Sequence, residues 1–457
     1  MAVNIVIASN IEDAEFIIKN KPTYSKILAL TPNVECYLKN KGKSLIVYKG
    51  FDFDKIHKET IEKTNHIDEL VSLATRDIEI TNASKEYIKF QINVFMSSFI
   101  FLILLLERFE KIEIISNNNF KIFDNYESSI EIIFKKFLQN KPFNYYFPIC
   151  SHNYNSNNSL FKLSNIIIKK IIKNKKIIFV SGDGYGMKNL NKQLILKYKK
   201  YVLIRLINIK KKAFLKIIKN LYNFLFSRNK YSIFSIINHE IIYSDKIDLI
   251  FKNTNNRYLF LAKNSIYDIL VNGLNYIENS HNYFNNFFKK IKIKYYFAHE
   301  IKIADSLLMA DIAKINKEKI FLISHGIHSI PKNKITKISL NSNAIGMIYS
   351  PFTNYSICQS KIAYKAIDNF APQNIKIKSF PIMWGRKSFK YNSSDFAKRS
   401  EKIILHASTF KSYFVRPYIY ESAFEYIIGI NKLIKSIDKF KDIKLIIRVR
   451  PTPDCSY

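Results

Sequence analysis

The sequence predicts an α/β protein with parallel sheets. Short apolar runs rich in isoleucine and valine recur along the chain, and amphipathic stretches of helical length separate them. Several of these runs end directly in polar residues, as strands do where a ligand binds at the edge of a parallel sheet. At 457 residues the chain is long enough for two or three domains, each with its own core.

The first fifty residues alternate between strand and helix at short intervals. Strands are predicted at Asn4–Ser9, Lys26–Thr31 and Ser44–Tyr48, with helices between them, the second of which ends at Gly42. This alternation is typical of the opening of a Rossmann-like parallel sheet. The dinucleotide fingerprint GxGxxG does not follow the first strand.

A helical insertion is predicted from about residue 56 to residue 140, where the apolar spacing becomes helical. Its most apolar segment, Ile92–Leu106, is shorter than the roughly 18 to 20 residues that span a bilayer. A buried helix is therefore favoured over an interfacial hairpin. The Asn-rich stretch at 140–159 is the best linker candidate in the first half. Asp52 and Asp54 in the DFD motif are interpreted as helix-capping or surface carboxylates.

A glycine-rich loop follows the predicted strand Lys175–Val180. Gly182, Gly184 and Gly186 alternate around Asp183, although the whole chain has only ten glycines. Glycine lets backbone amides approach a ligand closely, and a helix is predicted directly afterwards. The spacing matches neither a P-loop nor GxGxxG, so the loop is interpreted either as a substrate loop or as a tight turn.

The next part of the chain adds further strands with polar ends. Lys294–Glu300 ends in Glu300, and Lys319–Ser324 is followed by His325 and Gly326. Basic helical stretches at residues 210–220 and 264–290 are either solvated or membrane-facing. Further predictions are strands at Ala344–Ser350 and Lys376–Pro381, with a helix at Tyr355–Ile367 between them.

The late stretch at residues 401–430 reads as a strand, a polar loop and a helix. Hydroxyls and cations in such a loop suit a phosphate group at a helix N-terminus. The alternative is a surface loop in a lysine-rich protein. Glu421 and Glu425 lie four apart on the helix, where they could hold ribose or sugar hydroxyls. The phosphate candidates are His406, Ser408, Thr409, Lys411 and Arg416, with Arg450 after the final strand as a further cation.

The formal net charge of +35 would ordinarily suggest nucleic acid or an anionic membrane as a partner. Lysine, isoleucine and asparagine are abundant while glycine and proline are scarce, which is typical of an AT-rich coding sequence. Part of the charge is therefore explained by mutational bias. No nucleic-acid-binding motif stands out, and a weak attraction to anionic lipid headgroups follows from the charge alone.

Four widely separated cysteines form no CxxC or Cys/His cluster, so a zinc site is not expected. They are interpreted as reduced thiols of a cytosolic protein. The N-terminus lacks the pattern of a signal peptide. These features predict a cytoplasmic protein, with peripheral contact at the inner face of the cytoplasmic membrane.

Three segments resemble bacterial surface-carbohydrate and capsule transferases of GT-B architecture. The opening NIVIAS…KILALTPNVECYLKNKG resembles their N-terminal unit, and ISHGIHS at residues 323–329 resembles a His–Gly motif at their inter-domain cleft. ILHASTFK…RPYIYESAFEYI, followed by LIIRVRP, is similar to their donor-side block. The resemblance implies an N-terminal acceptor domain over residues 1–340 with the helical insertion, and an incomplete nucleotide-donor domain over residues 341–457.

The resemblance further implies a glycosyltransferase that uses a nucleotide-activated sugar and a glycan or lipid-linked acceptor. Such enzymes usually need no metal, and no cofactor is expected. Candidate bases are His325, Glu300 and Asp183; His325 could instead donate to phosphate or be a core histidine. Two other functions stay open: a CDP-polyol phosphotransferase and a basic protein that binds nucleic acid without catalysis.

Overall fold

A computed structural model describes residues 4–8, 10–20, 26–43, 45, 52–107, 111–116, 119–123, 158–181, 185–207, 213–226, 229–234, 243–289, 291, 293–324, 329–379, 402–408 and 423–449. Within these residues the chain forms thirteen helices and thirteen strands in three sheets. The predicted α/β class is confirmed.

The first sheet has four strands in the order β2-β1-β3-β4. β1 pairs in parallel with β2 and β3, and β4 is antiparallel to β3. The predicted third strand is represented in the described residues by Leu45 alone, which bridges Ile27 in parallel. The elements are β1 (Asn4–Ala8), α1 (Ile11–Asn20), β2 (Lys26–Ala29), α2 (Pro32–Asn40), β3 (Lys111–Ser116) and β4 (Asn119–Phe123).

Two long antiparallel helices, α3 (Phe53–Ala74) and α4 (Asn82–Leu106), interrupt this sheet. They confirm the predicted helical insertion in part, because β3 and β4 occupy residues that were predicted to be helical. The Asp52 side chain accepts a hydrogen bond from the Lys55 amide at 2.9 Å and caps α3, as predicted. Among the described helices α4 alone is long and apolar enough to cross a membrane, but 89% of its most apolar window is buried within the protein. The buried-helix interpretation is therefore confirmed.

The second sheet has seven parallel strands in the order β7-β6-β5-β8-β9-β10-β11. The chain builds outward from β5 to β7, returns to the other side of β5 and then builds outward to β11. This is the doubly wound Rossmann order. The strands are β5 (Lys176–Val180), β6 (Tyr201–Ile207), β7 (Lys230–Phe234), β8 (Ile293–Ala298), β9 (Lys319–Ile323), β10 (Tyr355–Cys358) and β11 (Ile375–Lys378).

Helices cover this sheet, and the largest apolar cluster joins it to the insertion. That cluster contains residues of α4, of the sheet and of the long helix α9. The helices are α5 (Asn158–Ile172), α6 (Tyr185–Lys197), α7 (Ala213–Leu225), α8 (Ser244–Thr254), α9 (Arg257–Phe288), α10 (Ala304–Ile315), α11 (Lys334–Ala344) and α12 (Lys361–Phe370).

Two buried carboxylates fix the N-terminus of α4 against α9 and α10. Glu278 accepts hydrogen bonds from the amide and the hydroxyl of Thr81, at 2.8 and 2.7 Å. Asp311 accepts from the Ala83 amide at 3.0 Å. Negative charge at a helix N-terminus is stabilising, so these contacts anchor the insertion on the seven-stranded sheet.

The seven-stranded sheet continues across the domain boundary predicted at residue 340, because β9 and β10 pair on either side of it. The strand predicted at Ala344–Ser350 is wrong: α11 ends there and an isolated bridge follows. The helix predicted from Tyr355 begins as β10 instead. Ser360, whose hydroxyl accepts from the Ala363 amide at 3.0 Å, caps α12 and ends the strand segment.

The late part of the chain forms a parallel βαβ unit from β12 (Lys402–Ser408), α13 (Ala423–Ile437) and β13 (Ile443–Val449). This confirms the predicted strand–helix–strand order. The strand is longer than predicted, and His406 and Ser408 lie inside it. α13 packs on α3, where the rings of Phe424 and Phe53 are 6.3 Å apart.

Candidate active site at the edge of the seven-stranded sheet

The order of the seven strands defines a switch point between β5 and β8. Successive strands are added towards β7 on one side of this point and towards β11 on the other. Ligands of doubly wound sheets bind here, outside the carboxyl ends of the strands. The Ser181 amide, directly after β5, donates to the carbonyl of Phe297 in β8 at 3.0 Å. The two strand ends are thus held side by side.

His299 and Glu300 follow β8 at this edge, and both side chains are buried. Glu300 is the one predicted catalytic residue within the described part of the chain. Asp183 and His325 lie outside the described residues, but they follow β5 and β9, the two neighbours of β8 in the sheet. The topology therefore brings together the three strand ends from which the candidate bases were predicted.

The ends of β9 and β10 are locked to one another. The Gln359 amide donates to the Ser324 hydroxyl at 3.0 Å, and its side-chain amide donates to the Ser324 carbonyl at 2.6 Å. These bonds fix the position at which the ISHGIHS segment leaves β9.

A cavity of about 680 Å³ extends from this edge, at Ile301 and Lys302, towards the amino edge of the sheet, where Pro351 and Phe352 precede β10. One wall comes from α3 and α4, and the other from the segment after β8 and from α11. Ile301 and Lys302, which directly follow Glu300, line it. The polar lining is mixed in charge and includes Asp68, Glu86, Lys89, Asn93, Lys302 and Lys337.

Lys302 is only 4% exposed. Its ammonium donates to the carbonyls of Ser342 and Asn343, at 3.3 and 3.0 Å, near the C-terminus of α11. It also lies 5.0 Å from the centre of the Phe90 ring. A cation at a helix C-terminus is favoured by the helix dipole, so Lys302 joins the two walls and places positive charge in the cavity.

Asp68 faces the cavity from α3, and the pKa of its carboxyl is well above the usual value. Burial raises the pKa of its carboxyl to about 6, against the opposing effects of Lys89 and of a hydrogen bond from Asn93. Glu86 adds to the increase. Asn93 is 7% exposed, and its side-chain oxygen has no hydrogen-bond partner in the part of the chain that the structure describes. A carboxyl that titrates near neutrality beside an unsatisfied amide oxygen is typical of a binding or acid–base site.

Removing the Asp68 charge is expected to stabilise the protein in a pH-dependent way. Its folded-state pKa exceeds that of the unfolded chain, so the unfolded state binds fewer protons between about pH 4 and 6 and the free energy of unfolding falls as pH rises through this window. Asp68→Asn should therefore raise the free energy of unfolding by about 1–3 kcal/mol above pH 6, and little below pH 4. Urea denaturation at both pH values measures this. Glu62→Gln, an exposed carboxylate on the same helix, is the control and should show no such difference.

Gly346 supports the Lys302 wall and should not tolerate a side chain. Its φ is +74°, and a Cβ there would lie 2.5 Å from the Ile301 carbonyl oxygen and 2.4 Å from Lys302 Cγ. Gly346→Ala is expected to lower the free energy of unfolding by about 3 kcal/mol, from backbone strain and overlap together. Gly42→Ala is the matched control, because Gly42 has φ +67° with open space around it. Equal losses in the two variants would show that the overlap contributes nothing.

The other predicted site residues fall into two groups. Gly186 is the second residue of α6. His406 and Ser408 lie in β12, and Glu425 in α13 contacts His57 Nε2 at 2.9 Å. Their proposed roles stay predictions. The remaining predicted residues lie outside the described ones: Gly182, Gly184, Thr409, Lys411, Arg416, Glu421 and Arg450.

The histidine, cysteine and carboxylate side chains of the described ranges are dispersed. In these ranges, no group of three or more histidine, cysteine or carboxylate side chains could hold a metal ion. Cys358, in β10, is a buried free thiol. Burial raises its pKa to about 11, so it is protonated at neutral pH, in line with a structural thiol.

Sequence reasoning missed the cavity residues. Asp68 carries a detectable signal, since it is a half-buried carboxylate at helical spacing from the buried residues Thr64, Ile67 and Val71 of α3. Asn93 is likewise a polar residue at the start of an apolar run. Lys302 follows a predicted strand end but carries no motif, and its position in the cavity depends on packing against α11.

The chain shows only weak similarity to known proteins. No family model matches the chain, and no curated protein matches it. Among solved structures, the UDP-N-acetylglucosamine 2-epimerase from Rickettsia bellii aligns with 14% sequence identity and a TM-score of 0.29. The alignment covers 61% of this chain and 62% of the epimerase, less than two thirds of its length. A likeness at this level is no evidence of a shared activity.

Proposed function

We propose that the protein is a glycosyltransferase that moves a sugar from a nucleotide-activated donor to a surface polysaccharide or lipid-linked glycan. One observation carries the proposal: the doubly wound sheet opens a switch point at which buried Glu300 directly precedes two residues, Ile301 and Lys302, that line a cavity of about 680 Å³. The resemblance of ISHGIHS and of the late block to surface-carbohydrate transferases supports the same class. The enzyme would act in the cytoplasm.

The reaction requires a base and a stabilised leaving group. An acceptor hydroxyl attacks the anomeric carbon, its proton passes to the base, and the bond between that carbon and the nucleotide phosphate breaks. Glu300 is the proposed base, with Asp183 and His325 as the alternatives. The charge that stabilises the leaving phosphate is assigned to a different place, because the cavity beside Glu300 is mixed in charge and its Lys89 is paired with Glu86 at 3.2 Å.

The donor phosphate is assigned to the carboxyl edge of β12 and β13. Ser408 is paired with Val449, which precedes Arg450, and parallel strands end at the same edge of a sheet. Thr409, Lys411 and Arg416 follow β12 in the sequence and complete the proposed set of phosphate ligands. Glu421 is the better candidate for the donor's ribose, because Glu425 already contacts His57.

A nucleotide panel tests the proposed donor class. Thermal unfolding is measured with CMP, CDP, UDP, GDP and ADP, each with and without magnesium, on the wild type and on Lys411→Ala. A ligand that binds the native state raises the midpoint by mass action. A metal-independent shift for one nucleotide, lost in Lys411→Ala, supports a donor phosphate at the β12 edge. Absence of a shift with every nucleotide contradicts the proposal.

A labelled donor tests the reaction class. The nucleotide found by the panel is supplied as a donor labelled either in its transferred group or in the phosphate next to that group. Glycosyl transfer delivers only the first label to the acceptor. Arrival of the phosphate label would show a phosphotransferase and overturn the glycosyltransferase assignment.

A further inference from the structure

Asparagine side chains occupy the free hydrogen-bonding groups of β7, an edge strand of the seven-stranded sheet. Asn220 of α7 donates to the Ser232 carbonyl at 2.7 Å and accepts from the Ser232 amide at 2.9 Å. Asn165 of α5 makes the same pair of bonds with Phe234, at 2.8 and 2.9 Å. An exposed edge strand would otherwise offer these groups to another strand. The bonds also fix which side of each helix faces the sheet.

Asn223 strengthens this constraint on α7. Its side-chain amide donates to the Lys230 carbonyl at 2.6 Å, one turn along the helix from Asn220. Ile217 packs beside the Phe161 and Phe234 rings on the inward side. With three inward residues held, α7 cannot rotate its opposite face into the core.

That opposite face of α7 is apolar and exposed. Leu215, Ile218, Leu221 and Leu225 recur every three or four residues and form one stripe. Leu221 is 57% exposed and Leu225 is 69% exposed. A contiguous exposed apolar surface of this kind marks an interaction site. The neighbouring helix α5 also exposes large aliphatic side chains, namely Leu160, Leu163, Ile166 and Ile167.

The charge around this surface has a single sign. Residues 158–173 and 213–226 contain no aspartate or glutamate. They carry six lysines: Lys162, Lys169, Lys170, Lys173, Lys216 and Lys219. An apolar stripe flanked by lysines, without carboxylates, is the pattern of a helix that lies in the interface of an anionic bilayer.

We propose that α7, with α5 beside it, is a docking surface for an anionic lipid bilayer. The leucine stripe would enter the boundary between headgroups and acyl chains. The lysines would pair with lipid phosphates, except Lys169, which donates to the Asn286 carbonyl at 3.3 Å. A second copy of the chain fits less well, because a symmetric contact would set lysines against lysines. Nucleic acid also fits less well, because the four-residue stripe is aliphatic and offers bases neither hydrogen bonds nor stacking. The exposed rings of this segment, Tyr222, Phe224 and Phe226, suit the headgroup boundary equally well. The proposal is independent of the reaction proposed above.

Vesicle flotation with the full chain tests the proposal. Vesicles of phosphatidylcholine alone are compared with vesicles of equal parts phosphatidylcholine and phosphatidylglycerol, and no sugar nucleotide is present. We expect flotation with the anionic vesicles, weakened but not abolished by salt, because apolar insertion is not screened. Hydrogen exchange on the same samples should show residues 213–226 protected by the anionic vesicles. Failure to float, or protection elsewhere and not in these residues, overturns the proposal.

Matched variants separate insertion from bulk charge. The double variant Leu221→Gln, Leu225→Gln changes two exposed residues and should lower partitioning at least about tenfold. The control is the double variant Leu73→Gln, Leu249→Gln, which changes exposed leucines of α3 and α8 (54% and 42% exposed). Equal flotation of the two variants would attribute binding to net charge and overturn the proposal. Sedimentation without vesicles tests for a dimer. A wild-type dimer that is lost in the Leu221→Gln, Leu225→Gln variant and kept in the control variant would also overturn the proposal.

Discussion

Replacing Glu300 with glutamine is expected to lower the turnover number by about 100- to 10,000-fold, the usual contribution of a general base. Glutamine has nearly the volume of glutamate, so the buried site after β8 should keep its shape. The amide cannot accept the proton of an acceptor hydroxyl. Steady-state kinetics with the donor identified by the nucleotide panel measure the effect, which should appear in kcat and leave nucleotide binding intact.

The control for this variant is Glu318→Gln. Glu318 precedes β9, so it lies at the opposite edge of the same sheet from Glu300. It should retain the wild-type rate. A normal rate in Glu300→Gln would show that Glu300 is not the base and would leave Asp183 and His325 as the candidates. Kinetics of Asp183→Asn and His325→Ala would then distinguish those two. Loss of nucleotide binding in Glu300→Gln would instead indicate a structural role.

The strand ends that form the candidate site could be predicted from the sequence. β5, β8 and β9 are short apolar runs with abrupt polar ends, and burial on both faces of a parallel sheet imposes that pattern. This pattern predicts Glu300 as the polar end of β8, and the resemblance adds the candidate role of a base. The order of the strands in the sheet could not be predicted in the same way, because the pairing of β5 with β8 joins segments more than a hundred residues apart. Apolar periodicity carries no information about such pairing.

Local signals explain two of the wrong predictions. β3 and β4 lie in the predicted helical insertion, yet their alternating apolar residues flank the Asn-Asn-Asn sequence at 117–119, which is a hairpin signal. β10 was assigned to a helix because Ser360 was not recognised as an N-cap. In both places a turn or cap residue outweighed the apparent helical spacing.

The cavity could not be predicted, because its two walls come from distant parts of the chain. Asp68 and Asn93 belong to the insertion, whereas Lys302 follows β8. The walls meet because Glu278 and Asp311 hold the start of α4 against α9 and α10. A buried carboxylate that caps a helix from another part of the chain leaves no trace in sequence periodicity.

Gly273→Ala is expected to give a large loss of stability. Gly273 of α9 faces Tyr87 of α4, and a Cβ at Gly273 would lie 2.1–2.2 Å from two ring carbons and the hydroxyl oxygen of the tyrosine. Tyr87 is fully buried, so its ring has no free space to enter. We expect the free energy of unfolding to fall by about 3 kcal/mol, at the upper end of overpacking costs. Urea denaturation measures the loss.

Gly429→Ala is the control, because Gly429 is also in a helix, α13, with nothing within 4 Å of the added Cβ. Alanine there should stabilise the protein by about 0.5–1 kcal/mol, since it restricts the unfolded chain. The loss from Tyr87→Ala and Gly273→Ala together should be smaller than the sum of the two single losses, because the two residues share one contact. α4 also forms one wall of the cavity, so Gly273→Ala should weaken binding of any ligand that occupies it. If Gly273→Ala were as stabilising as Gly429→Ala, then α4 and α9 would not meet at Tyr87, and the cavity wall would need another support.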